Sequence, residues 1–314
     1  MARYAIRRLI QSFFLILGVT IITFFIQRVA PGGPAMFFED PKMKPADIRA
    51  IEESFGLHEP WHIQYGKWVW GVARFDFGRS FIDGRPAVEK IAERMPATFQ
   101  LSLASFLLGL LGIPLGIYAA MRRGSWADNV IRVLTVAGNA VPHWWLGLMI
   151  LIISASTIKI FPLGGMYTLG ADSLPDRLWH LALPATIGAM GGWITFARFM
   201  RSEILEVISQ DYIRTAFAKG LTRQTVLTRH ALRNALIPVV TILGGSLSGF
   251  FSGAVLFEQT FSWPGMGRLA IQAAFQRDYP VLMAETVIFA LLIILGNLIA
   301  DLAYGLVDPR VKIE

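Results

Sequence analysis

Six apolar runs, each 19 to 25 residues long and almost free of charge, constrain this 314-residue chain more than any other feature. They are Leu9 to Gln27, Ala97 to Met121, Val130 to Ile153, Trp179 to Ala197, Leu236 to Leu256 and Val281 to Tyr304. A helix of roughly 20 residues crosses the ~30 Å hydrocarbon core of a bilayer. Of 29 basic and 22 acidic residues, only Arg132, Glu285 and Asp301 fall inside the six runs, each near a run's end. Backbone polar groups in lipid need partners within their own segment, so the runs predict helices and the chain reads as an all-α integral membrane protein with six transmembrane helices. Its 54% hydrophobic and 16% charged residues argue against both a soluble enzyme and a disordered chain. With no cysteine there is no disulfide framework, thiolate metal site or cysteine nucleophile.

Charge placement predicts the orientation. The first run follows Arg3, Arg7 and Arg8, as in a signal peptide, but it exceeds a usual apolar region of that kind, and Arg28 spoils a small-residue cleavage site. It is read as an uncleaved anchor. With the N-terminus inside, the inside segments, together with Arg132 at the edge of the third run, carry 15 Arg and Lys and the two short outside loops only Lys159, Arg177, Arg268 and Arg277, the long loop after the first run being beyond the length at which such charges count. The positive-inside rule therefore puts both termini in the cytoplasm. Residues 1–29 form the cytoplasmic end and first helix, 30–96 a long extracytoplasmic loop, and 97–314 a five-helix core with a cytoplasmic segment at 198–235. The net charge of +7 then reflects topology and implies no nucleic-acid partner.

Several chemistries are excluded by pattern. His58, Glu59, Pro60, Trp61 and His62 match the H-E-x-x-H letters of a zinc protease, but that motif needs one helical face, and Pro60 reads instead as a turn and helix start. No metal ligand set is assigned. The chain has no phosphate-binding Gly-x-x-x-x-Gly-Lys-[Ser/Thr] loop, so it does not bind and hydrolyse ATP alone. Asn139 and His143, four residues apart with Pro142 beside them, are expected to share one face of the third run. They are either a structural hydrogen-bonded pair or part of a translocation path, and Asn297, beside Asp301, is a similar candidate. A secondary transporter or channel is the alternative of a different class; it calls for an ion-coupling site or inverted repeat, and neither is evident.

The most informative stretch lies between the fourth and fifth runs. A short helix opening near Asp211 and closing at Lys219 and Gly220 satisfies helix start and stop rules, and Thr222 is placed to cap the next helix. Ile213, Ala216, Phe217 and Ala218 make a compact knob suited to a groove in another protein, or to packing on its own neighbour. From Asp211 and Tyr212 through Ala218, Lys219, Gly220 and Leu221 to Arg229, His230, Ala231, Leu232, Arg233, Asn234 and Ala235, the segment resembles the EAA loop of ABC importer permeases, in its dipeptide/oligopeptide/nickel branch. Similarity to the B-type permease of that branch continues at Gly56, Leu57 and Pro60; at Phe77, Gly78 and Ser80; at Phe257, Glu258, Phe261, Trp263, Pro264, Gly265 and Gly267; at Arg277 to Pro280; and at Asp308, Pro309 and Arg310.

The resemblance implies a type I importer bundle in a bacterial or archaeal cytoplasmic membrane, surrounded by lipid. Its partners would be a second, homologous permease, two ATP-binding subunits that hold ATP and Mg, and an extracytoplasmic solute-binding protein. Asp211, Arg214, Thr215, Ala216, Phe217, Ala218, Lys219, Gly220 and Leu221 would form the ATPase-coupling element. Phe261, Trp263, Pro264 and Gly265 would form an outer gate, with an interfacial aromatic belt as the alternative. The implied cargo is di- or oligopeptide, with nickel, oligosaccharide or another small solute as variants.

Overall fold

The computed structural model describes residues 2–29, 58–171, 173–246, 250 and 255–307. Most of these residues are helical, and no strand forms among them. Helix α1 spans Ala2–Val29 and α2 Trp61–Ala73. Helices α3 (Ala87–Gly109) and α4 (Gly112–Met121) follow one another closely. Helices α5 (Trp126–Ala140) and α6 (His143–Ile153) meet at a corner, and α6 runs into a π-helical turn at Ser154–Ile158. Helix α7 is the longest at Leu174–Ile208, followed by α8 (Asp211–Ala218) and α9 (Leu232–Ser246). The last elements are α10 (Val255–Thr260), α11 (Met266–Phe275) and α12 (Tyr279–Val307).

Three of the described helical stretches are long and apolar enough to cross a membrane: Ile6–Gln27, Ala87–Met121 and Tyr279–Ile299. The α5–α6 pair makes a fourth if its two arms are one span. Helix α3 starts at Ala87, earlier than the apolar run at Ala97, because Pro86 starts a helix without needing a backbone donor and Glu89 suits the positive first turn. Pro114 accounts for the break between α3 and α4. It has no N–H to offer Leu110, and the Ile113 N–H takes that carbonyl at 2.9 Å instead.

Helix α7, about 52 Å long at 1.5 Å per residue, is the mast of the bundle, and α3, α4, α5, α6 and α9 all pack on it. Contact with α4 is backbone to backbone. A Cβ built on Gly112 would fall 2.7 Å from the Trp193 carbonyl oxygen, and one on Gly116 would fall 2.8 Å from Met200 Cβ. Small residues let helices approach this closely where lipid supplies no hydrophobic drive. At one end of the mast, Phe196, Met200 and Ile204 pack with Ala120, Ala235 and Val239. At the other, Leu181, Leu183 and Ile187 pack with Leu101, Leu151 and Phe261. Helix α1 lies at the edge against α12, and α2 folds back on it through Tyr65, whose hydroxyl is 3.0 Å from Thr20 Oγ1.

The third apolar run is not a straight helix. Its arms diverge by 94° at Val141 and Pro142. A residue before proline is driven to extended backbone, which Val141 adopts (φ −106°, ψ 127°), and Pro142 then opens α6. The expectation that Asn139 and His143 share one helical face is therefore corrected. Asn139 is exposed near the end of α5, whereas His143 begins α6 and lies beside Gly191 of α7.

Candidate functional site

Helix α8 projects from the end of α7 across only two residues, Ser209 and Gln210. Its acid, Asp211, lies in the positive first turn. Lys219 closes it and Gly220 follows at φ +81°, a left-handed conformation open to glycine at little cost. The Gly220 N–H donates to the Phe217 carbonyl at 2.9 Å, and Leu221 N to Ala216 O at 3.4 Å. Thr222 caps the next turn as its position in the sequence suggests, its Oγ1 accepting from Thr225 N at 3.3 Å. The chain then passes through a short helical turn and a π-helical stretch, Val226–Ala231, into α9.

The two faces of α8 differ sharply. Ile213 and Ala216, three residues apart, are buried against Val226, Ala231, Val207 and Ile208. Tyr212 and Phe217 are each 44% exposed, and Leu221 36%. Asp211, Arg214, Thr215, Ala218, Lys219 and Gly220 are exposed as well. Ile213 and Ala216 are thus the attachment of the knob and not part of its outward surface, although the sequence alone groups them with Phe217. One long-range hydrogen bond braces the element, from Asn234 Nδ2 to the Tyr212 hydroxyl at 2.8 Å. The Arg214–Asp211 pair, at 3.4 Å and almost wholly exposed, adds little.

At the far end of the bundle the aromatic turn between α10 and α11 is buried. Phe261 and Trp263 retain 2% and 1% of their exposure. Trp263 Nε1 donates to Ala97 O at 2.8 Å, and Thr98 Oγ1 accepts from Met266 N at 2.8 Å while donating to Glu258 Oε1 at 2.7 Å. Glu258 also accepts from Arg268 N at 3.1 Å. Gly265 makes room for that carboxylate, since a Cβ there would sit 2.5 Å from its Cδ. The Phe261 ring lies against Gly147 of α6, and its carbonyl accepts from Gly165 N at 3.0 Å. Pro264 is partly buried in the same turn. This arrangement is unlike an aromatic belt, whose rings sit exposed at headgroup level.

Two motif strings noted in the sequence meet at a polar corner nearby. Asp278 accepts from Ser80 Oγ and, at 3.0 Å, from Phe81 N; Lys90 lies 3.7 Å from Asp278 and 3.0 Å from Asp83. Burial works against the Asp83 charge, but the Lys90 ammonium, the Arg85 N–H and Ser80 together hold its carboxyl below the usual value. Asn297 lies in a cleft of about 200 Å³ between α1 and α12, lined also by Arg8, Gln11, Ser12 and Leu15, and neither Asn139 nor His143 belongs to that lining. Pro60 precedes the first residue of α2, so His58 lies outside the helix that carries His62; Glu59 instead pairs with Lys67 at 2.5 Å. Among the described residues no group of three or more His, Cys, Asp or Glu side chains is placed to hold a metal. Sequence reasoning missed two buried acids, Glu258 as a hub of hydrogen bonds and Asp128, which pairs with Arg201. The Ser125-x-x-Asp128 spacing, a helix-start pattern, was the one local signal for the second.

Comparison with known proteins adds the following. Residues 112–313 match the family described as binding-protein-dependent transport system inner membrane component, and residues 1–103 match the N-terminal family of the same membrane components. The chain is 44% identical over 315 residues to the oligopeptide transport system permease protein AppB of Bacillus subtilis (strain 168), covering 99% of this chain and all of that one. It is 36% identical to the glutathione transport system permease protein GsiC of Salmonella choleraesuis (strain SC-B67), covering 99% of each. Among solved structures it resembles an inward-facing conformation of the MetNI methionine ABC transporter, with a TM-score of 0.55 and 16% identity over 70% of this chain and 97% of that one.

Proposed function

The chain belongs to the family of binding-protein-dependent transport system inner membrane components, and from that membership we propose that it is the permease subunit of an ATP-driven importer of di- and oligopeptides. Relatives named for oligopeptide and glutathione transport support the peptide class. In this reading the chain crosses the membrane six times with both termini cytoplasmic. It pairs with a second permease, receives solute from an extracytoplasmic binding protein and rests on two ATP-binding subunits that supply the hydrolysis.

One observation carries the mechanism. Helix α8 is a knob with a buried root and an exposed aromatic tip, joined to the longest helix of the bundle by two residues. Phe217 and Tyr212 are the anchors available to a groove in the ATPase, and Asp211, Arg214, Thr215, Ala218, Lys219, Gly220 and Leu221 form the rest of that contact. Ala216 holds α8 to its own chain from behind. Closure of the ATPase pair would push α8, and α7 would move with it as a rigid body, exchanging inward-facing and outward-facing arrangements. In the same reading the aromatic turn at Phe261, Trp263, Pro264 and Gly265 serves as the outer gate, supported by its packing against α3 and α6, and Asn139, His143 and Asn297 are candidates for the solute path.

The test is uptake per ATP hydrolysed in proteoliposomes holding the whole transporter. Phe217→Asp or Gly220→Pro is expected to lower that ratio about tenfold or more, with membrane insertion intact. Full ATP-driven uptake with both changes would remove α8 from the mechanism.

A further inference from the structure

Two side chains separated by 73 positions meet where the turn between α4 and α5 approaches α7. Arg201 donates from Nε to Asp128 Oδ1 at 2.6 Å and from Nη2 to Oδ2 at 2.9 Å. The Gly124 N–H donates to Oδ2 at 3.0 Å. Asp128 is 1% exposed and the Arg201 side chain 22%. A guanidinium gripping both oxygens of a carboxylate fixes orientation as well as distance. Desolvation offsets much of the attraction within a buried pair, so its value lies less in net stability than in deciding which parts of the chain move together.

The parts joined here are the ones a moving α8 would need. Arg201 lies seven residues, roughly 10 Å of helix, before the end of α7 at Ile208, and two more residues lead to Asp211. The intervening end of α7 is tightened by bonds from Ser209 N to Glu206 O and Gln210 N to Val207 O, both 3.1 Å. On the other side, Asp128 N donates to Ser125 Oγ at 3.3 Å while the Asp128 carboxylate holds Gly124, so this turn and the start of α5 form one unit. Helix α5 leads through the Pro142 corner to α6, where Gly147 lies against the Phe261 ring of the aromatic turn. A displacement at α8 therefore has a mechanical route to the opposite end of the molecule, in which this ion pair fixes the start of α5 to α7 beside the direct packing of α5 and α6 on that helix.

We propose that Arg201 and Asp128 are a positioning pair that transmits the movement of α8 to α5 and α6. The proposal rests on the reading of α8 as the element seated in the ATPase. Neither residue touches solute or a partner subunit in this mechanism; both act through α5.

The test uses the intact transporter, with its ATPase subunits and binding protein, in proteoliposomes, and reads solute taken up per ATP hydrolysed. Asp128→Asn and Arg201→Gln are each expected to lower that ratio about tenfold, within the range of ordinary coupling energies, while the amount of assembled complex stays within about twofold. The exchanged double variant, Asp128→Arg with Arg201→Asp, is expected to recover a substantial part of the ratio. A pair that only braced the fold would reduce the amount of complex and leave the ratio unchanged, which would overturn the proposal. If Asp128→Asn fails to accumulate, Arg201→Lys keeps the charge without the two-pronged grip, and its ratio decides. Phe217→Asp is measured alongside. A normal ratio there sinks the reading of α8 itself, whereas a lowered ratio there with normal ratios in the pair variants sinks only the role of the pair.

Discussion

Helix α8 and the aromatic turn between α10 and α11 lie at opposite ends of the bundle, and both present large aromatic side chains. They use them in opposite ways. Trp263 is 1% exposed and its indole N–H is satisfied by Ala97 of α3, whereas Phe217 is 44% exposed with no ring partner among the described residues. The turn is completed within its own chain; the knob keeps its aromatic tip exposed, as the proposed seat in the ATPase requires. Burial of an aromatic ring from water is worth about 1.5–3 kcal/mol, so under the proposed function that free energy is released on folding at the turn and on assembly at the knob.

The comparison breaks most readily at the turn. Trp263→Ala is expected to cost about 3–5 kcal/mol, the range for emptying a large aromatic site; the thermal midpoint of the purified complex measures it. Next is the root of the knob. Ile213→Ala removes a wholly buried side chain from a small cluster and should cost about 2 kcal/mol or somewhat more. Because that cluster joins α8 to the end of α7 and to the stretch before α9, the loss should appear first as faster protease cleavage around residues 209–222 and not as unfolding of the bundle. The tip sharpens the contrast. Phe217→Ala should leave the thermal midpoint of the chain within the ±0.5 kcal/mol typical of surface changes, yet reduce uptake severalfold; equal losses of stability and uptake would mean that the ring belongs to the fold. His62→Ala should change neither, since Pro60 leaves His58 outside α2, and zinc-dependent activity lost in that variant would contradict this reading.

How much of this was legible in the sequence depended on the range of the interaction. The knob was legible because its limits are local. An acid at the first turn and Lys219 with Gly220 at the close are each recognised within a few residues. The split between its faces was not, because Ile213 and Phe217 are both apolar and four apart, and only the position of Val226 and Ala231 decides which of them turns inward. Pro142 was visible within the third apolar run but the 94° corner was not, since the angle depends on how α6 seats against α7. The aromatic turn was visible as a composition, while its burial depended on α3 and α6 closing over it.

The sequence by itself determined that this chain is a helical membrane protein, through long apolar runs that only a helix can satisfy in lipid, and that no phosphate-binding loop lies within it. It also determined where the knob starts and stops. Tertiary structure alone decided that Asp128 meets Arg201, that Glu258 bonds to Thr98, and which aromatic rings are left uncovered. The physical reason is that helix limits follow from hydrogen bonds spanning three or four residues, whereas pairing between helices follows from the rotation and depth at which their surfaces interlock.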